Sequence, residues 1–174
     1  KDSVEISNST INVTSGGDGI RSSNETDAGK GDITVTNSNL TIASDLDGIQ
    51  SVGNLAVSYS TLTVTTANGA SDDMTSAVED VRGGFGKRGG FDGRHDPFEE
   101  QQAEEATIST KGIKAAKDMN IVRCSINVNS VDDAVHCDKS LTIDNSTVTA
   151  KTNDDGIHSE LSLNIKYSSV SASL

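Results

Sequence analysis

The chain has 174 residues, enough for one domain of ordinary size, yet only 33% are hydrophobic and 3% aromatic, with one Pro and no Trp. Such a composition cannot fill a wide core, but it can fill a narrow one with Val, Ile, Leu, Ala and inward Ser or Thr. The net charge of -12 argues against nucleic acid as a partner, since phosphate recognition needs clustered Lys and Arg. No apolar run reaches transmembrane length, so membrane insertion is not expected, and no signal peptide opens the chain.

Along the chain, β-branched and other apolar residues alternate with Thr, Asn and Ser, the period-two pattern of strands with one buried face. The first coil carries Val4, Ile6, Ser9, Ile11 and Val13 before Asp18-Gly19-Ile20. A loop over 21–30 precedes the second, which carries Ile33, Val35, Ser38, Leu40 and Ile42 before Asp47-Gly48-Ile49. The third has Leu55, Val57, Ser60, Leu62 and Val64 and then loses the pattern. An insertion follows over 71–105, with a Gly-rich basic stretch, an acidic run, and Phe85, Phe91 and Phe98. Long inserts in repeat proteins sit on one face and often carry function; the plainer reading is a loop packed back on the repeats.

A fourth coil resumes over 106–115, with Lys111-Gly112-Ile113 in the Asp-Gly-Ile slot. The fifth has Met119, Ile121, Cys124, Ile126 and Val128 before Asp133-Ala134-Val135. The sixth has Leu141, Ile143, Ser146, Val148 and Ala150 before Asp155-Gly156-Ile157, and a partial coil follows with Leu163, Ile165, Ser168, Val170 and Ala172. The sharpest copies repeat at about twenty-two residues, a period that signals stacked units. Three short strands and three bends per period predict an all-β fold, a right-handed single-stranded parallel β-helix (a solenoid) of about seven coils. It forms one domain over 1–174, interrupted between coils by the insertion. Gly after the slot Asp suits a bend with positive φ. The pattern is under way at Lys1 and still running at Leu174, as expected of a mature region or a piece cut from a longer chain.

Cys124 and Cys137 align with Ser146 and Ser159, small positions expected to face inward. A disulfide across the coil and two small buried thiols are both open readings.

Stacking brings the slot residues together. Asp18, Asp45, Asp47 and, with a longer loop, Asp73 form one acidic group; Asp132, Asp133, Asp154 and Asp155 form another. Two like charges about 4.8 Å apart repel by roughly 3.5 kcal/mol at an effective dielectric near 20. A cation relieves that, and flexible carboxylate oxygens suit Ca2+. Asp-Gly is also simply good turn chemistry, which explains single copies better than doubled Asp on adjacent coils. His136 and His158 stack one place beyond, a pair too poor in soft ligands to indicate zinc.

The strings Thr110-Lys111-Gly112-Ile113-Lys114-Ala115, Asp154-Asp155-Gly156-Ile157-His158 and Asp47-Gly48-Ile49 resemble a family of secreted bacterial carbohydrate-binding domains. These are calcium-containing parallel β-helices, similar in fold to pectate lyases, that bind cellulose and acidic sugars such as polygalacturonate. The resemblance spans nearly the whole chain and implies an extracellular or cell-surface protein, calcium at the matching aspartates, and a polysaccharide partner.

Three functions follow. In the first, a calcium-dependent module binds a plant cell-wall polysaccharide, with Lys111, Lys114, His136 and His158 flanking the metal as ligand-binding residues. In the second, a polysaccharide lyase works by calcium-assisted β-elimination with Lys111 or Lys114 as base, which requires a lowered lysine pKa that neighbouring aspartates oppose. In the third, a surface spacer or adhesin segment uses calcium only to rigidify the stack.

Overall fold

The computed structural model describes residues 2–27, 29–70 and 109–174, and in these the chain forms strands, turns and bends without a helix. The described residues all fall in one compact unit. The insertion over 71–105, with Asp73 and the three Phe, lies outside them.

Each rung of the stack is built from three short strands. The first rung has β1 (Val4–Ser7), β2 (Thr10–Ser15) and β3 (Ile20–Arg21); the second has β4 (Ile33–Thr36), β5 (Asn39–Ser44) and β6 (Ile49–Ser51). The third has β7 (Leu55–Ser58), β8 (Thr61–Thr66) and β9 (Ile113–Ala115). The fourth has β10 (Met119–Val122), β11 (Ser125–Ser130) and β12 (Val135–Cys137); the fifth has β13 (Ser140–Asp144), β14 (Thr147–Thr152) and β15 (Ile157–Ser159). β16 (Ser162–Lys166) and β17 (Ser169–Ser173) begin a sixth.

The strands assemble into three parallel sheets, ordered β1-β4-β7-β10-β13-β16, β2-β5-β8-β11-β14-β17 and β3-β6-β9-β12-β15. This is the solenoid expected from the repeat. Its count is corrected, however. Ile113 pairs with Ile49 on one side and Val135 on the other, so 113–115 is the third strand of the rung begun at Leu55. The expected third and fourth coils are one rung, interrupted within itself, and the described strands make six rungs rather than about seven.

The narrow core follows from the alternation. β5 and β8 bury every second residue, and Leu40, Ile42, Leu62, Val64, Ile126 and Val128 point into one apolar column. Each fully buried residue of this size contributes about 1.5–3 kcal/mol. Several polar inward positions are satisfied between rungs. The Ser38 N–H donates to Ser60 Oγ (3.0 Å), the Cys124 N–H to Ser146 Oγ (3.0 Å) and the Ser146 N–H to Ser168 Oγ (3.0 Å). Cys124 and Cys137 are free and buried, with Sγ donating to the Val122 and Lys117 carbonyls; of the two open readings, the buried thiols hold.

The glycine after the slot is also corrected. Positive φ occurs at Gly29, Gly31 and Gly69, not at Gly19, Gly48, Gly112 or Gly156. What Gly48 provides is absence of bulk: a Cβ there would collide with Val64 Cγ1 and the Gly112 carbonyl. Ala134 occupies the same position one rung beyond Gly112, and its carbonyl accepts from the Ile113 N–H (2.9 Å).

Candidate functional site

The bend leading into the third sheet stacks the slot residues: Asp18, Asp47, Lys111, Asp133 and Asp155 each lie two residues before register-paired positions of β3, β6, β9, β12 and β15. Much of what these carboxylates do is structural. Asp18 Oδ1 accepts the Asp47 N–H (3.2 Å), Asp47 Oδ1 accepts the Lys111 N–H (2.8 Å), and Asp133 Oδ1 accepts the Asp155 N–H (3.2 Å). Asp18, Asp47 and Asp133 thus each hold the backbone of the following rung, the way a buried carboxylate is most cheaply satisfied.

The two predicted acidic groups differ. Asp132, Asp133 and Asp154 present oxygens that all lie within 4.8 Å of one another. Asp155 does not join them; its Oδ2 lies 2.9 Å from His158 Nδ1. At the other end, Asp18, Asp45 and Asp47 form no such group among the described residues. There Asp47 is 1% exposed and its Oδ1 also accepts from Ser109 Oγ (2.7 Å), while Asp18 pairs with Arg21 (3.2 Å) and Asp45 is exposed.

Lys111 reaches from the third rung into the first of these groups. Its Nζ lies 2.8 Å from both Asp132 Oδ1 and Asp133 Oδ2. Burial disfavours its charge, but the hydrogen bonds to Asp132 and Asp133 outweigh that and raise its pKa above the ordinary lysine value. A raised lysine pKa is opposite to what a general base needs. Burial likewise works against charge on Asp133, yet hydrogen bonds from His136 and Lys111 hold its carboxyl well below the usual range. Burial and the charges of Asp133, Asp155 and Asp132 push Asp154 up, while the Lys111 ammonium pairs with Asp132 and Asp133.

Lys114, His136 and His158 lie in register on the next outward position. The two imidazoles stack, with centroids 4.8 Å apart and planes 9° from parallel. Each ring lies between two carboxylates. His136 sits between Asp133 (2.7 Å) and Asp138 (2.9 Å), and His158 between Asp155 (2.9 Å) and Glu160 (3.2 Å). The bonds to Asp155 and Glu160 raise the His158 pKa. Asp133, His136 and His158 also bring one ligand atom each within 4.8 Å, but stacked parallel rings aim their lone pairs side by side rather than at a common point.

Sequence reasoning missed Asp138, Glu160 and Ser109. The first two had a signal, since Asp133, His136, Asp138 and Asp155, His158, Glu160 repeat the same spacing on successive rungs.

A hard cation is tested by this donor set. Asp132, Asp133 and Asp154 offer clustered carboxylate oxygens with no sulfur, the chemistry that suits Ca2+. Asp155 and the Asp18, Asp45, Asp47 group are committed elsewhere or apart. Among known proteins, a family model described as "Carbohydrate-binding domain-containing protein" matches residues 1–165. No curated protein and no solved structure matches the chain.

Proposed function

Because the chain belongs to this carbohydrate-binding domain family, we propose that it binds an acidic polysaccharide of the polygalacturonate kind along the bend and outward face of its third sheet. The observation that carries this reading is the register of Lys114, His136 and His158 beside the Asp132, Asp133, Asp154 set. One basic side chain per rung, at the strand spacing of about 4.8 Å, suits a polymer with regularly spaced carboxylates; His136 and His158 would exchange Asp138 and Glu160 for uronate oxygens.

Calcium is part of the proposal. Asp132, Asp133 and Asp154 would hold it, and its charge would neutralise the acidic set and attract uronate carboxylates. Lys111 would then exchange Asp132 and Asp133 for a uronate. The natural setting of such a module is outside the cell or at its surface, on plant cell-wall polymers.

Calorimetric titration of polygalacturonate, with calcium and with chelator, tests the reading. Binding that requires calcium, without appearance of unsaturated uronate absorbance, is the expected result. Sustained absorbance would identify a lyase; calcium-raised melting temperature with no polymer binding would identify a spacer.

A further inference from the structure

The bend between the first and second sheets carries a second column, far in sequence pattern from the acidic slot. Its residues are Asn8, Asn37, Tyr59, Arg123, Asn145 and Tyr167, and all six have φ between 48° and 54°. Asn enters this left-handed region at low cost because its amide bonds locally. The amides even ladder, Asn37 Nδ2 donating to Asn8 Oδ1 (2.6 Å). A tyrosine there costs more, and Asn would make the same turn without it. Tyr59 is nonetheless 55% exposed, so burial of its ring does not explain the choice. A bulky residue kept in a sparse backbone region points to function rather than folding.

The ring of Tyr59 is held in place from the following rung. Arg123 Nη1 donates to the Tyr59 hydroxyl, and its guanidinium lies 5.3 Å from the ring centroid, a cation–π contact. Over the preceding rungs, Tyr59 joins Asn8, Thr10, Asn37, Asn39 and Thr61 around a shallow hollow of about 350 Å3. Apart from the tyrosine, these side chains are neutral amides and hydroxyls, able to donate and accept at once. One fixed aromatic face with convergent neutral polar groups is the chemistry that recognises a sugar ring.

We propose that this hollow is a glycan subsite for the uncharged pyranose rings of a polysaccharide chain, with Tyr59 as the stacking face and the Asn and Thr side chains bonding ring hydroxyls. It goes beyond the charged face of the third sheet: it uses a different bend and no metal ion. Fixing the ring through Arg123 lowers the ordering cost of binding.

The test is calorimetric titration of cellohexaose and of mannohexaose in the presence of chelator, with Tyr59→Asn, Tyr59→Phe and Arg123→Ala beside the parent chain. Tyr59→Asn keeps the turn, using the residue found at three other rungs, so its melting temperature holds or rises. Binding of at least one hexasaccharide, weakened about tenfold or more by Tyr59→Asn and kept by Tyr59→Phe, is the expected outcome. Arg123→Ala weakens it less. No binding by either sugar, or unchanged binding in Tyr59→Asn, overturns the proposal. Polygalacturonate titration in calcium judges the charged face separately, and Tyr59→Asn leaves that titration unchanged.

Discussion

Lys111 Nζ lies 2.8 Å from Asp133 Oδ2, an ammonium from one rung set against a carboxylate of the next. Asp133 is 4% exposed, so the ion pair is poorly screened, and Asp132 shares it. The Lys takes the place that repetition would give to another aspartate. Within the acidic column it supplies the counter-charge from the chain itself.

Removing that counter-charge has a defined pH signature. The depressed Asp133 pKa contributes stability above its ordinary value of 3.8, lost as pH falls toward the lowered one. The raised Lys111 pKa contributes below 10.5 and is lost as pH rises through the raised value. Lys111→Met therefore destabilises the calcium-free protein by about 1–3 kcal/mol near neutrality. Its acid unfolding midpoint moves to higher pH, and added calcium restores part of the loss. Urea unfolding across pH, with and without calcium, checks all three.

Gly48 is required for space. Gly48→Ala forces a Cβ against Val64 and the Gly112 carbonyl and costs about 1–3 kcal/mol. Gly17→Ala, where a Cβ meets nothing within 4 Å, changes stability by less than about 0.5 kcal/mol. Chemical denaturation of the two variants separates packing from backbone freedom.

Cys124 interrupts the serine ladder, and burial pushes its thiol pKa up, so it is not a reactive nucleophile. Cys124→Ser continues the ladder and keeps or raises stability by up to about 1 kcal/mol, whereas Cys124→Ala removes the Sγ–H donor to the Val122 carbonyl and leaves a small void, costing about 1 kcal/mol. Melting temperatures of the pair decide this.

Among the described residues the buried Ser130 hydroxyl has no hydrogen-bond partner, although Thr152 at the same position one rung on donates to the Asp132 carbonyl (2.7 Å). Ser130→Ala is neutral or slightly stabilising, while Thr152→Val costs about 1 kcal/mol. Equal losses in both would show that Ser130 has a partner after all.

The stack was legible because its inward residues keep phase. Ile126 pairs with Val148 and Val128 with Ala150, and the Cys124–Ser146 bond spans the same 22 residues. Phase failed where the insertion stretches it: the Lys111–Asp47 bond spans 64 residues, and two stretches of one rung read as two coils. At the site, a column of aspartates was legible but its side-chain partners were not. His158, three residues after Asp155, draws that carboxylate away, and Ser109 with the Lys111 N–H occupies Asp47. Tyr59 and Arg123 share a turn position with asparagines, a likeness of backbone conformation that residue type does not announce.

The measurement closest to the centre of this account is calcium titration of Asp154→Asn against Asp155→Asn, each followed by polygalacturonate. Loss of metal and polymer binding in Asp154→Asn, with both kept in Asp155→Asn, is the predicted result. Binding lost in Asp155→Asn and kept in Asp154→Asn would contradict it.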